Sequence, residues 1–174
     1  MKTKHLILCA LFAAITAVLS QLAFPLPFTP VPINLATFSV FLAGGLLGAG
    51  MGAASQAVYV LVGALGVPVF AQLTGGLGIV AGPTGGYLLG YIAAAWLTGF
   101  LLKRLPQNVW GHMLSMAAGM LSCYVLGTAW FMYQQHVALI PALSMCVIPF
   151  LPGDILKIVV AAVLVRKLSR VLEV

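Results

Sequence analysis

Charge is what this sequence lacks. Two of its 174 residues are acidic, Asp154 and Glu173, and charged residues of both signs make up 6% of the chain. A soluble domain carries about 25%, because its surface has to be hydrated. Residues 6–102 and 105–153 contain no Asp, Glu, Lys or Arg. A soluble enzyme, a nucleic-acid-binding domain and a disordered chain are excluded together. At 63% hydrophobic residues, the sequence predicts an all-α integral membrane protein, a single domain over residues 1–174.

Reactive constellations are missing too. Cys9, Cys123 and Cys146 are scattered through apolar segments with no C-x-x-C pair, so they read as small buried hydrophobes. His5, His112 and His136 form no H-E-x-x-H, and no Walker A motif or Gly-x-Ser-x-Gly elbow occurs. Gly76-x-Gly78-x-x-Ala81 fits a relaxed dinucleotide fingerprint, but that motif needs a strand before it and a soluble βαβ unit around it. The expectation is a protein with no catalytic set, no metal and no cofactor.

The charges that are present mark boundaries. Lys2 and Lys4, Lys103 and Arg104, and Arg166, Lys167 and Arg170 flank long apolar runs. Basic residues collect in this way on the cytoplasmic side of a membrane. A spanning helix needs about 20 apolar residues. Residues 6–24 are the first candidate; the run is longer than a signal-peptide core and leads into Phe24-Pro25-Leu26-Pro27, which predicts a retained span. Four prolines between residues 25 and 34 predict a loop.

Residues 35–66 are too long for one span and short for two. Gly48-Ala49-Gly50-Met51-Gly52 lies in the middle and predicts a tight turn between short helices at 36–48 and 52–66. Residues 67–82 are glycine-rich and irregular. Pro83 suits the first turn of a fourth span that stops at Lys103-Arg104. A fifth span covers 110–133, residues 134–147 form a loop containing Pro141, and a sixth span covers 148–168. Six spans put both termini and Lys103-Arg104 on the cytoplasmic side. The opposite loops, 25–34, 67–82 and 134–147, then carry no Lys or Arg. Reading 35–66 as one span breaks that pattern. No internal repeat supports an inverted-repeat transporter.

One position breaks the apolar runs. Pro149-Phe-Leu-Pro152-Gly153-Asp154-Ile-Leu-Lys157 places an intramembrane acid and base three residues apart, on one helix face. Ionised groups inside a span are expensive and face the bundle interior. A structural ion pair would explain them without a ligand, but buried pairs rarely add net stability. The pair therefore marks a candidate binding site, near the outer end of the last helix.

The run from Gln72 through Thr74, Gly75, Gly76 and Gly78 to Thr84 and Tyr87 is the second feature. Its glycines serve either close helix packing or a loop folded over a pocket with bare backbone groups facing a ligand. Ala10-x-x-x-Ala14, Ala13-x-x-x-Ala17, Gly44-x-x-x-Gly48 and Gly86-x-x-x-Gly90 signal close helix approach, mostly within the chain. Tyr59, Tyr87, Tyr91 and Trp96 line a pocket or sit in the interfacial aromatic belt, with the belt as the default.

In order and spacing, four segments resemble the BioY family of biotin-binding S components of energy-coupling factor transporters. They are Val31-Pro-Ile-Asn34-Leu-Ala-Thr37, Gly63-Ala-Leu-Gly66-Val-Pro68-Val-Phe70, the loop from Gly75-Gly-Leu-Gly78 to Pro83-Thr-Gly-Gly-Tyr87, and Pro152-Gly-Asp154-x-x-Lys157. The resemblance implies the six-helix S-component fold, with biotin near the outer face under loop 67–82. It implies that Asp154 and Lys157 engage biotin's polar groups, Asp154 accepting a ureido N–H and Lys157 balancing charge or donating to a biotin oxygen. It also implies that the Ala10-x-x-x-Ala14 face docks on a transmembrane coupling subunit, which works with two ATP-binding subunits. Residues 67–102 contain neither Asn nor Arg, which leaves Gln72, Thr74 and Thr84 as the loop's side-chain donors.

The resulting expectation is a vitamin-uptake subunit of the bacterial cytoplasmic membrane. A solitary secondary biotin carrier and a structural subunit without a ligand are the alternatives.

Overall fold

Lipid offers no hydrogen bonds, so an apolar chain must satisfy its backbone within each crossing segment. Helices do this here. The computed structural model describes residues 3–172; Lys2 and Glu173, and the side chain of Arg170, lie outside the described residues. The order is α1 (Thr3–Gln21), β1 (Ala23–Leu26), β2 (Thr29–Asn34), α2 (Ala36–Ala64), a 3-10 turn at Ala71–Leu73, α3 (Leu77–Val80), α4 (Gly85–Leu102), α5 (Val109–Gln135), α6 (Leu139–Cys146), a 3-10 turn at Ile148–Phe150, and α7 (Leu151–Leu172).

The α2 segment is not one straight helix but is broken at Gly48. Gly48 sits at φ 77°, ψ 179°, a conformation that only glycine adopts easily. A Cβ placed on Gly52 would stand 2.8 Å from the Gly44 Cα. Eight residues along a straight helix span about 12 Å. The Thr16 hydroxyl also reaches both Ser39 (2.8 Å) and Gln56 (3.2 Å), which lie on opposite sides of the break. The element is thus two antiparallel arms, 36–47 and 49–64. Among the described residues, five helical segments are long and apolar enough to cross a membrane; the reversal at Gly48 makes six spans. The second arm begins directly after the turn, earlier than the predicted residue 52.

Three expectations are corrected. Residues 25–34 are not a loop: β1 and β2 pair antiparallel, Ala23 opposite Asn34 and Leu26 opposite Thr29. A two-stranded ribbon leaves each strand one free edge, where prolines lose no ladder bond. Residues 134–147 are not all loop either, because α6 contains Pro141 in its first turn, where backbone N–H groups have no intrahelical partner anyway. Pro83 precedes α4, whose N-cap position is Thr84.

The alternation of spans gathers the hairpin and the connections 65–84 and 136–150 at one end of the bundle. The start of α1, the Gly48 turn, the 103–108 turn and the end of α7 gather at the other, with Lys4, Lys103, Arg104, Arg166 and Lys167. Small residues let the spans approach. A Cβ on Gly44 would lie 2.5 Å from the Ala95 carbonyl oxygen of α4, and one on Gly90 would lie 2.9 Å from Cys123 Sγ of α5. On α1, Phe12, Ala13 and Thr16 face inward while Ala10 and Ala14 are exposed.

Candidate functional site

A cavity of about 210 Å³ opens at the end away from the basic groups. Pockets for drug-sized ligands run to about 300–1,000 Å³, so this one has the size for a small ligand. The walls come from β2, both arms of α2, the 70–84 connection, α4, α5, the 146–150 segment and α7.

Its polar feature is built on the first turns of α7. Asp154 is 3% exposed and Lys157 is 9% exposed. Their three-residue spacing brings Lys157 Nζ to 2.7 Å from Asp154 Oδ1. The same ammonium donates to the Asn34 carbonyl (2.7 Å) and to Thr37 Oγ1 (3.2 Å). All three ammonium protons are therefore committed to protein acceptors. Lys157 thereby fastens α7 to the end of β2 and the first turn of α2. Asn34 is held from its other side, its Oδ1 accepting from Ala36 N at 3.1 Å. The second Asp154 oxygen, Oδ2, accepts from the Tyr124 hydroxyl of α5. A carboxylate offers about four lone-pair positions. Two are used here, so Asp154 keeps acceptor capacity inside a cavity where Lys157 has already neutralised its charge.

The remaining walls are mostly aromatic and apolar. Tyr59 packs edge-on against Phe70 at 5.5 Å between ring centroids and lies 6.4 Å from Tyr91. Tyr87 OH stands 3.3 Å from Thr128 Oγ1. Val31, Met120, Cys123, Cys146 and Phe150 fill between them.

Of the residues the sequence singled out, Asp154, Lys157, Gln72, Thr74, Thr84 and Tyr87 all line this cavity. Gly75, Gly76 and Gly78 do not; two of them shape the loop instead. A Cβ on Gly75 would collide with the Val67 carbonyl, and Gly76 stands at φ 101° while its N–H bonds the Gly63 carbonyl at 2.7 Å. Tyr59 and Tyr91 are buried in the cavity wall rather than placed in a lipid-facing belt, whereas Trp96 is exposed. Sequence reasoning gave no role to Tyr124 or to the hairpin wall at Pro30, Val31 and Pro32. The face of α5 was readable in principle: Met120, Cys123 or Tyr124, and Gly127 recur at helical spacing. Among the described residues, no three His, Cys, Asp or Glu side chains converge to hold a metal.

Fold and cavity together define a multi-pass membrane protein with a small-molecule cavity at one end of a helical bundle. Comparison with known proteins makes this specific. The BioY family model matches residues 1–174. The biotin transporter BioY of Thermotoga maritima is 37% identical over 96% of this chain and 96% of its own. The biotin transporter BioY of Rhizobium etli is 38% identical over 95% of this chain and 93% of its own. Among solved structures, the S component for biotin from an ECF-type ABC transporter superposes with a TM-score of 0.91 at 32% identity, covering 97% of this chain and 92% of that one. The S component of a bacterial ECF transporter, at 21% identity and TM-score 0.51, shares the fold. This chain belongs to the BioY family.

Proposed function

We propose that the chain is the biotin-capturing S component of an energy-coupling factor transporter, embedded in the cytoplasmic membrane and working with a transmembrane coupling subunit and two ATP-binding subunits. The observation that carries the reading is the neutralised Asp154–Lys157 pair, held by Tyr124, within an aromatic cavity. Biotin has an uncharged ureido ring with two N–H donors, a thioether-containing ring and a carboxylate tail. The ureido ring suits the Asp154 end. Its N–H groups meet the unused lone pairs of Asp154, in a cavity where a hydrogen bond to a charged group contributes about 1.5–3 kcal/mol. Tyr59, Tyr87 and Tyr91 supply flat apolar surface for the bicyclic ring. Lys157 contributes by holding the Asp154 carboxyl group and the hairpin in place, since its own protons are committed.

The tail then runs toward Gln72, Thr74 and Thr84 of the connecting loop, whose side chains and backbone donors solvate its carboxylate. The basic groups at the opposite end orient the chain with that end in the cytoplasm, so the cavity opens outside. The exposed Ala10 and Ala14 of α1 present a flat strip on which another membrane helix packs closely. Docking there lets the coupling subunit turn the loaded chain toward the cytoplasm.

Equilibrium binding of biotin to the purified chain in detergent tests the reading. Asp154→Asn is expected to weaken binding at least about tenfold, or 1.4 kcal/mol. Unchanged affinity in that variant would remove Asp154 from the site, and no binding to folded wild type would remove biotin.

A further inference from the structure

Gln21 closes α1 and stands outside the cavity wall, yet it grips the segment that builds part of it. Its Nε2 donates to the Val69 carbonyl at 3.1 Å and the Phe70 carbonyl at 3.0 Å. Its Oε1 accepts from Leu73 N at 2.9 Å. The neighbouring Ser20 hydroxyl donates to the same Val69 carbonyl at 2.7 Å. One side chain thus holds both faces of a five-residue strip of backbone.

The held strip is not in a relaxed conformation. Gln72 and Leu73 stand at φ 60° and 55°, consecutive left-handed residues of which neither is glycine. Such a pair persists only where its surroundings fix it. The amide that Gln21 accepts from belongs to the second of them. Gln72 and Thr74, the residues on either side of Leu73, line the cavity. Phe70 is fixed separately: its ring is 2% exposed, packed on Tyr59 and Gly63, and its N–H bonds the Thr74 carbonyl at 2.9 Å. Loss of the Gln21 grip leaves the start of the strip anchored and frees the left-handed pair to relax.

We propose that Gln21 is a positioning residue for ligand binding. Through the backbone of 69–73 it keeps Gln72 and Thr74 on the cavity wall, and it ties that wall to α1, the helix that bears Ala10 and Ala14. The ligand part of this inference rests on the biotin reading; the mechanical part does not.

The test uses the purified full chain in detergent. Wild type, Gln21→Met and the double variant Gln21→Met with Leu73→Asn are compared by biotin binding, and by hydrogen exchange of residues 69–75 without ligand. Methionine keeps the volume and removes every hydrogen bond. Leu73 is exposed, and asparagine enters the left-handed region more readily than leucine. Gln21→Met is expected to bind biotin about tenfold more weakly, chiefly through faster release. It should also exchange faster over 69–75 with the hairpin unchanged. Adding Leu73→Asn is expected to recover most of the affinity, which a purely structural glutamine would not allow. Affinity within about twofold of wild type in Gln21→Met, or no recovery in the double variant, would overturn the proposal. Should wild type bind no biotin, the ligand reading fails, and exchange alone decides: acceleration confined to 69–75 upholds the grip, and unchanged exchange overturns it.

Discussion

Tyr124 on α5 donates its hydroxyl to the Asp154 oxygen that Lys157 leaves free. The buried carboxylate is therefore held from one neighbouring helix and from its own before any ligand enters. A group fixed this way meets a ligand without first having to be ordered, which is where preorganised sites gain affinity. Tyr124→Phe keeps the ring and removes the grip on Oδ2. The expected result is a loss of about 0.5–1.5 kcal/mol in stability, measured by thermal unfolding in detergent. A drop in biotin affinity of several-fold should accompany it. Unchanged affinity would show that Lys157 alone orients the carboxylate.

The ion pair predicts a non-additive pattern. Lys157→Met alone strands a buried carboxylate and removes the link from α7 to Asn34 and Thr37. Breaking one partner of a buried pair costs about 3–5 kcal/mol. Lys157→Met with Asp154→Asn removes the stranded charge, so most of that stability should return. Biotin binding should not return with it. A double variant as unstable as the single one would contradict the assignment of the penalty to an uncompensated charge.

Gly48 predicts a folding defect far from the cavity. Its φ and ψ lie in a region essentially reserved for glycine. Gly48→Ala should lower stability by about 1–3 kcal/mol, seen as a lower melting temperature. Biotin affinity of the fraction that folds should stay near wild type. A wild-type melting temperature would mean that the two arms reverse without a glycine conformation.

The cysteines supply a chemical probe. Cys123 and Cys146 line the cavity, while Cys9 packs on the inner face of α1 away from it. In variants retaining one cysteine each, saturating biotin should slow modification of Cys123 and Cys146 by a small thiol reagent and leave Cys9 unaffected. Equal protection at all three would point to a global tightening instead of occupancy.

The sequence made the site's charged pair legible because Asp154 and Lys157 stand in a run otherwise free of ionisable groups. Helical spacing alone then joins them. The reversal in α2 was legible for a similar reason: a cluster of glycines interrupts a run too long for one span. The hairpin and α6 were hidden by proline. Pro25, Pro27, Pro30 and Pro32 forbid a helix, but they do not distinguish a loop from a ribbon whose free edges need no donors. Pro141 reads as a break unless the helix start is known to within a residue. The tyrosines were ambiguous on other grounds. Whether Tyr59 and Tyr91 face lipid or cavity depends on the rotation of each helix in the bundle, which tertiary packing fixes. Tyr124 could not be paired with Asp154 before α5 and α7 were known to pack together.

The central claim is that the neutral ureido end of biotin meets Asp154 while the carboxylate lies toward the loop. The most direct measurement is competition against labelled biotin by two analogues, biotin amide and biotin methylated on its ureido nitrogens. The account predicts that the amide binds within about tenfold of biotin and that the methylated compound loses at least about a hundredfold, or 2.7 kcal/mol. The reverse order, with the amide lost and the methylated ring retained, would place the carboxylate at the Asp154–Lys157 end and contradict the account.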